Sequence, residues 1–144
     1  MKAPAPLHLP PAVRRAIVAH ARRARPRECC GLLLGDGRKV QFAVAAPNRA
    51  RGRSRYELDP KTHIDVRRVL RGVAPVLTIV GVYHSHPAGP AVPSPTDVSE
   101  AAYADWIHVI VALRGRRATV RAFRIRHGRV TGVPLARGSL RSRG

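Results

Sequence analysis

From Val76 to Tyr83 the chain carries valine, leucine, isoleucine and tyrosine, interrupted only by Thr78 and Gly81. A run so rich in β-branched residues is strand-like. Because polar and apolar residues do not alternate in it, it reads as central in a sheet, apolar on both faces. Its C-terminal end runs into His84-Ser85-His86.

The rest of the chain arranges itself around that strand. Pro11 suits the first turn of a helix, and Val13, Ile17, Ala21 and Ala24 recur at helical spacing with arginines opposite, so an amphipathic helix is expected up to Pro26. Gly31 to Leu34 reads as a short buried strand, Gly35-Asp36-Gly37 as a turn, and Lys39 to Ala46 as its hairpin partner. After an Arg-rich loop from Pro47 to Arg55, Asp59-Pro60 starts a helix carrying Ile64, Val69 and Leu70 and stopping near Gly72. Pro87 to Pro93 is a stiff loop, and a helix opens at Ser94-Pro95-Thr96-Asp97 and runs to about Tyr103. Trp106 to Leu113, Ala118 to Arg126 and Arg129 to Pro134 are further strands. Tyr56 and Trp106 are expected in the core. A length of 144 residues with 44% hydrophobic content supports one core, so residues 1–136 are read as one domain and 137–144 as a loose basic tail.

No apolar stretch approaches the ~20 residues needed to span a bilayer, and Met1 to Pro11 lacks the apolar run of a secretory signal. Cys29 and Cys30 are adjacent, so a disulfide between them would close almost no loop; they are expected to be packing residues in a cytoplasmic protein. The formal charge of +19 comes from 24 Arg and 3 Lys against 8 acids. The arginines are scattered and only 4% of residues are aromatic, which excludes a stacking platform for single strands. Nucleic-acid binding is therefore expected to be sequence-independent at most, through phosphates. His8, His20, His63, His108 and His127 have no partner at ligand spacing and receive no role.

The chemistry gathers at the end of the central strand. A period of two puts His84 and His86 on one face. Asp97 follows eleven residues after His86, in the first turn of a helix whose N-terminus can sit over that strand end as a third ligand. Three protein ligands and one open position is the arrangement a catalytic zinc requires. Peptide hydrolysis also needs a carboxylate to carry the proton, and Glu28, directly before the buried strand, is the candidate. Ser94 can donate to the oxyanion of a tetrahedral intermediate. It also reads as a plain N-cap, and both roles can hold together.

Glu28, His84, His86, Pro87, Ser94 and Asp97 together resemble the signature of the JAMM (MPN+, Mov34) zinc metallopeptidases: a glutamate, then His-x-His-Pro, seven residues from the second His to a Ser, and two more to an Asp. Pro26 to Gly35, Pro47-Asn48 and Gly81-Val82-Tyr83 look like the small bacterial members, and the resemblance spans about Leu7 to Leu135. It implies an α/β fold with a mixed, twisted sheet flanked by helices. It also implies Zn2+ on His84, His86 and Asp97, with Glu28 and Ser94 as catalytic groups. The implied activity is hydrolysis of an amide after the C-terminal Gly-Gly of a ubiquitin-like (β-grasp) sulfur-carrier protein. Two other readings remain: the DNA-repair-associated branch of the superfamily, favoured by the charge and opposed by the Glu28-Cys29-Cys30-Gly31 segment, and a non-catalytic MPN scaffold, disfavoured because such domains typically lack the ligand set present here.

Overall fold

The molecule, a computed structural model, is described for residues 4–73 and 77–136. The expected basic tail at 137–144 lies outside the described residues, as does Val76. Its elements in chain order are α1 (Pro11–Ala24), β1 (Cys30–Asp36), β2 (Lys39–Ala46), α2 (Pro60–Val73), β3 (Thr78–His86), α3 (Pro95–Glu100), β4 (Ile107–Ala112), β5 (Thr119–Arg126) and β6 (Arg129–Val133). The strands form one six-stranded sheet in the order β2-β1-β3-β4-β5-β6. β3, the apolar run, lies near its middle, as the sequence predicts.

The sheet is mixed because β3 and β4 run parallel while their outer neighbours pair antiparallel. A parallel pair cannot be closed by a hairpin, so the chain leaves the end of β3 and crosses back before β4 begins. That crossover carries Pro87 to Ser94 and α3. The topology alone therefore brings Asp97 to the strand end that bears His84 and His86.

One face of the sheet is covered by α1. Val13, Ile17 and Ala21 share a buried cluster with Leu33, Val40, Tyr83, Val109, Val111 and Ala122. Gly31 on β1 is required here: a Cβ would stand 2.3 Å from the Tyr83 ring, which lies across that strand. The opposite face packs Ala91, Ile110, Ala112 and Phe123 together. It also bears His84 and His86, which pair in register with Ile110 and Ala112.

Three expectations need correction. α3 ends at Glu100 rather than near Tyr103. There the chain is captured by a turn in which Trp106 N donates to Tyr103 O at 3.2 Å and the two rings stack at 4.1 Å. α2 forms as expected, capped by Asp59 Oδ2, which accepts from Thr62 N at 3.2 Å. Its Ile64 and Val69 do not reach the core, however, and are 53% and 62% exposed. The helix leans instead on ring contacts from His63 to Tyr103 and Trp106. Trp106 and Tyr56 are half-buried residues outside the strands rather than sheet core. No helix among the described residues is long and apolar enough to cross a membrane.

Candidate metal centre

His84 and His86 are the last alternate residues of β3, and both are buried. The antiparallel register of β1 places Cys30 opposite His84. Glu28, two residues earlier, therefore falls level with His86 and on the same face. Cys29 fixes that continuation: its N donates to Ser85 Oγ at 2.8 Å, and its carbonyl accepts from Ser85 N at 3.1 Å. From the crossover, Asp97 enters at the third position of α3 in a capping box, with Ser94 N donating to Asp97 Oδ2 at 2.8 Å and Asp97 N to Ser94 Oγ at 3.1 Å.

The result is a tight constellation. His84 Nε2 lies 3.1 Å from His86 Nε2 and 3.1 Å from Asp97 Oδ2, and His86 Nε2 lies 3.2 Å from the same oxygen. Donor atoms of Glu28, His84, His86 and Asp97 all lie within 4.8 Å of one another. Whether a metal fits follows from the side chains themselves. Ligands bound at 2.0–2.1 Å in tetrahedral geometry stand roughly 3.3 Å apart, close to the triangle found here. Two imidazole nitrogens facing each other and one carboxylate oxygen are hard to satisfy with protons alone, and a cation removes the conflict. Glu28 Oε1 points to the same need, being buried without a hydrogen-bond partner. The four residues fit a metal.

The surroundings fix these side chains. His86 Nδ1 lies 2.7 Å from the Pro90 carbonyl. A carbonyl can only accept, so Nδ1 carries the proton and Nε2 presents its lone pair to the cluster. The His84 ring is held by the Tyr56 ring stacked on it, with centroids 4.3 Å apart at an interplanar angle of 22°. Asn48 braces the Tyr56 loop against the site. Its Nδ2 donates to Glu28 O at 2.9 Å and Arg55 O at 3.1 Å, and its Oδ1 accepts from Ala50 N and Glu57 N. Arg27 adds a hydrogen bond from its guanidinium to Ala50 O.

The electrostatics follow from burial and proximity. Burial pushes the Glu28 carboxyl up to about 7, with His86 opposing and the Asp97 charge adding to the rise. Asp97 is also raised by burial, but the His84 and His86 hydrogen bonds outweigh this and hold it well below the usual carboxylate range. Burial lowers His84. Burial also opposes protonation of His86, but its bonds to Asp97 and Pro90 win and raise it. The Cys29 and Cys30 thiols are free and buried, and burial drives Cys30 up to about 12, so both act as packing residues. His108, given no role from the sequence, is likewise buried, with its Nε2 unpaired.

Beside the cluster runs a groove of about 730 Å³. Glu28, His86 and Ser94 line it together with Pro87, Pro90 and Val92. All five residues singled out from the sequence are thus brought to one place. Tyr56, expected in the core, stacks on His84 instead, a contact that depends on the path of a loop that local pattern does not encode. The brace made by Asn48 is set by the same loop path, which the Pro47-Asn48 pair does not reveal in the sequence.

The model of the prokaryotic homologs of the JAB domain matches residues 10–126. A CysO-cysteine peptidase of Mycobacterium tuberculosis is 37% identical over 123 residues, 83% of each chain. A desampylase of Haloferax volcanii is 36% identical over 110 residues, covering 72% of this chain and 78% of its own. A JAB1/MPN domain protein from Archaeoglobus fulgidus shares the fold, with a TM-score of 0.60 over 90% of this chain and 98% of that one at 18% identity. With the family model matching residues 10–126 and relatives above 30% identity over most of both chains, the chain belongs to the prokaryotic JAB-domain family.

Proposed function

We propose that the chain is a zinc-dependent peptidase or isopeptidase that cleaves the amide bond after the C-terminal Gly-Gly of a ubiquitin-like, β-grasp sulfur-carrier protein. The observation that carries this reading is the convergence of Glu28, His84, His86 and Asp97 beside a groove open to solvent. The substrate class is supported by the relatives named as a CysO-cysteine peptidase and a desampylase. Residues 1–136 form its catalytic domain, and two unpaired buried cysteines suit a reducing cytoplasm.

His84, His86 and Asp97 would hold the metal, and a site of two imidazoles and one carboxylate suits zinc. When bound, the ion supplies Lewis-acid polarisation of the scissile carbonyl and acidifies the attacking water. The other steps fall to the chain. Glu28 accepts the proton of the attacking water and returns it to the departing amine. The Ser94 hydroxyl donates a hydrogen bond to the oxyanion. A Gly-Gly tail has no side chains and can lie extended between the prolines of the groove.

The test pairs two variants on a carrier extended beyond its Gly-Gly. Glu28→Gln should keep zinc and lower the cleavage rate by at least ~10²-fold, the contribution of a positioned acid–base group. His86→Ala should lose the metal as well as activity. Full activity in Glu28→Gln, or stoichiometric zinc in His86→Ala, would defeat the assignment.

A further inference from the structure

Two arginines, Arg25 and Arg53, line the groove at the metal centre together with Glu28, and both are exposed. Three other arginines of the same two segments are engaged: Arg27 donates to Ala50 O, Arg49 pairs with Asp59, and Arg55 pairs with Glu100. The guanidiniums of Arg25 and Arg53 have no hydrogen-bond or ion-pair partner among the described residues. Glu28 is the one acid on the groove lining, and the charges that act on it are those of His86 and Asp97. The two arginines are therefore free cations inside a groove that a substrate has to enter.

Their place in the chain says which part of a substrate they meet. Arg25 stands three residues before Glu28 on the segment leading into β1, and the Arg27 bond to Ala50 O ties that segment to the loop carrying Arg53. Glu28 returns a proton to the departing amine, so the amine leaves beside these two segments. We propose that Arg25 and Arg53 determine which leaving group is accepted, by holding a carboxylate borne on the same carbon as the departing amine; this rests on the proposed peptidase activity. Planar guanidiniums match the two oxygens of such a group. The leaving group of this class is a free α-amino acid. A lysine Nε, reached through a four-carbon stem, brings no anion to that position. In the hydrolysis the C–N bond breaks and the water oxygen joins the carbonyl carbon. Both water protons end on the nitrogen, which leaves a carboxylate on the carrier and an ammonium on the released amino acid.

The test gives the zinc-loaded enzyme two peptides copied from the tail of a Gly-Gly-terminated β-grasp carrier of the same genome, each extended by one alanine. One peptide ends in the free α-carboxylate and the other in a C-terminal amide. The ratio of kcat/KM, carboxylate over amide, should fall about five- to tenfold from wild type to Arg25→Gln/Arg53→Gln, the worth of charge-assisted contacts that stay partly in solvent. Comparing the ratio between proteins cancels the chemical difference between the peptides. An unchanged ratio overturns the inference. So does an equal loss on both peptides, which would place the arginines on the carrier's side of the scissile bond. A third peptide, joined through a lysine Nε, should be cleaved by wild type less efficiently than the carboxylate peptide, and the reverse preference also overturns the inference. If the double variant is inactive, Arg53→Gln alone, which leaves the segment before Glu28 intact, decides by the same ratio. If the wild type cleaves no peptide, the peptidase reading fails on its own. Binding of the labelled carboxylate and amide peptides then decides: a preference for the carboxylate that the double variant abolishes supports the clamp, and any other result ends it.

Discussion

Ser94 occupies two structural positions at once, and replacing it should separate them. Its Oγ accepts from Asp97 N at 3.1 Å, while its own N donates to Asp97 Oδ2, the oxygen that also faces His84 and His86. A hydroxyl has one donor and two acceptor lone pairs, so accepting from Asp97 N leaves the O–H free. Ser94 also lines the groove. Ser94→Ala removes cap and donor together. It should cost about 1 kcal/mol of stability, as N-cap serines do, and lower kcat by ~10²- to 10³-fold, as loss of one oxyanion donor does. Ser94→Gly separates the effects. Glycine is tolerated at an N-cap within a few tenths of a kcal/mol, so stability should stay close to wild type while the kcat loss stays as large. Ser94→Thr keeps a hydroxyl and should restore most of both. The assays are urea unfolding, metal content and steady-state cleavage on each variant. Wild-type kcat in a fully metallated Ser94→Gly protein would remove the hydroxyl from the mechanism. Activity that falls in step with lost metal would mean Ser94 acts only by holding Asp97.

Two further outcomes follow from the neighbours of the cluster. Tyr56→Leu should weaken metal affinity about 3- to 10-fold, the worth of an aromatic stack, while Tyr56→Phe keeps the ring and the affinity; chelator competition measures both, and equal affinities for Leu and wild type would refute the positioning role. His108 is held neutral by burial, with its pKa lowered to about 4 against 6.5 unfolded, so the unfolded chain binds the extra proton as pH falls. The stability tied to it is complete above about 6.5 and is lost toward 4, a loss on the order of 3 kcal/mol. In the metal-free protein, His108→Leu should flatten that acid limb and add at least about 1 kcal/mol by removing the unpaired Nε2; an equally steep limb would show that other groups govern it.

Much of the molecule is written locally in the sequence. Periodicity and punctuation placed α1, the β1–β2 hairpin, β3 and the last three strands, because each is a short-range pattern of apolar spacing, Pro and Gly. The candidate cluster was legible for the same reason: His84 and His86 share a strand face by a period of two, and Asp97 sits in a first turn marked by Ser94 and Pro95. What tertiary structure decided is how these pieces meet. β1–β3 register sets Glu28 level with His86, and the parallel β3–β4 pairing forces the crossover that carries Asp97 over the strand end. The stack of Tyr56 on His84 and the four hydrogen bonds of Asn48 depend on the path of a loop whose composition says only that it is polar. The burial of His108 and the exposure of Ile64 and Val69 are likewise invisible to a pattern of residue types. Hydrophobicity states which residues favour burial, but which of them find a covering surface depends on contacts between segments far apart in the chain.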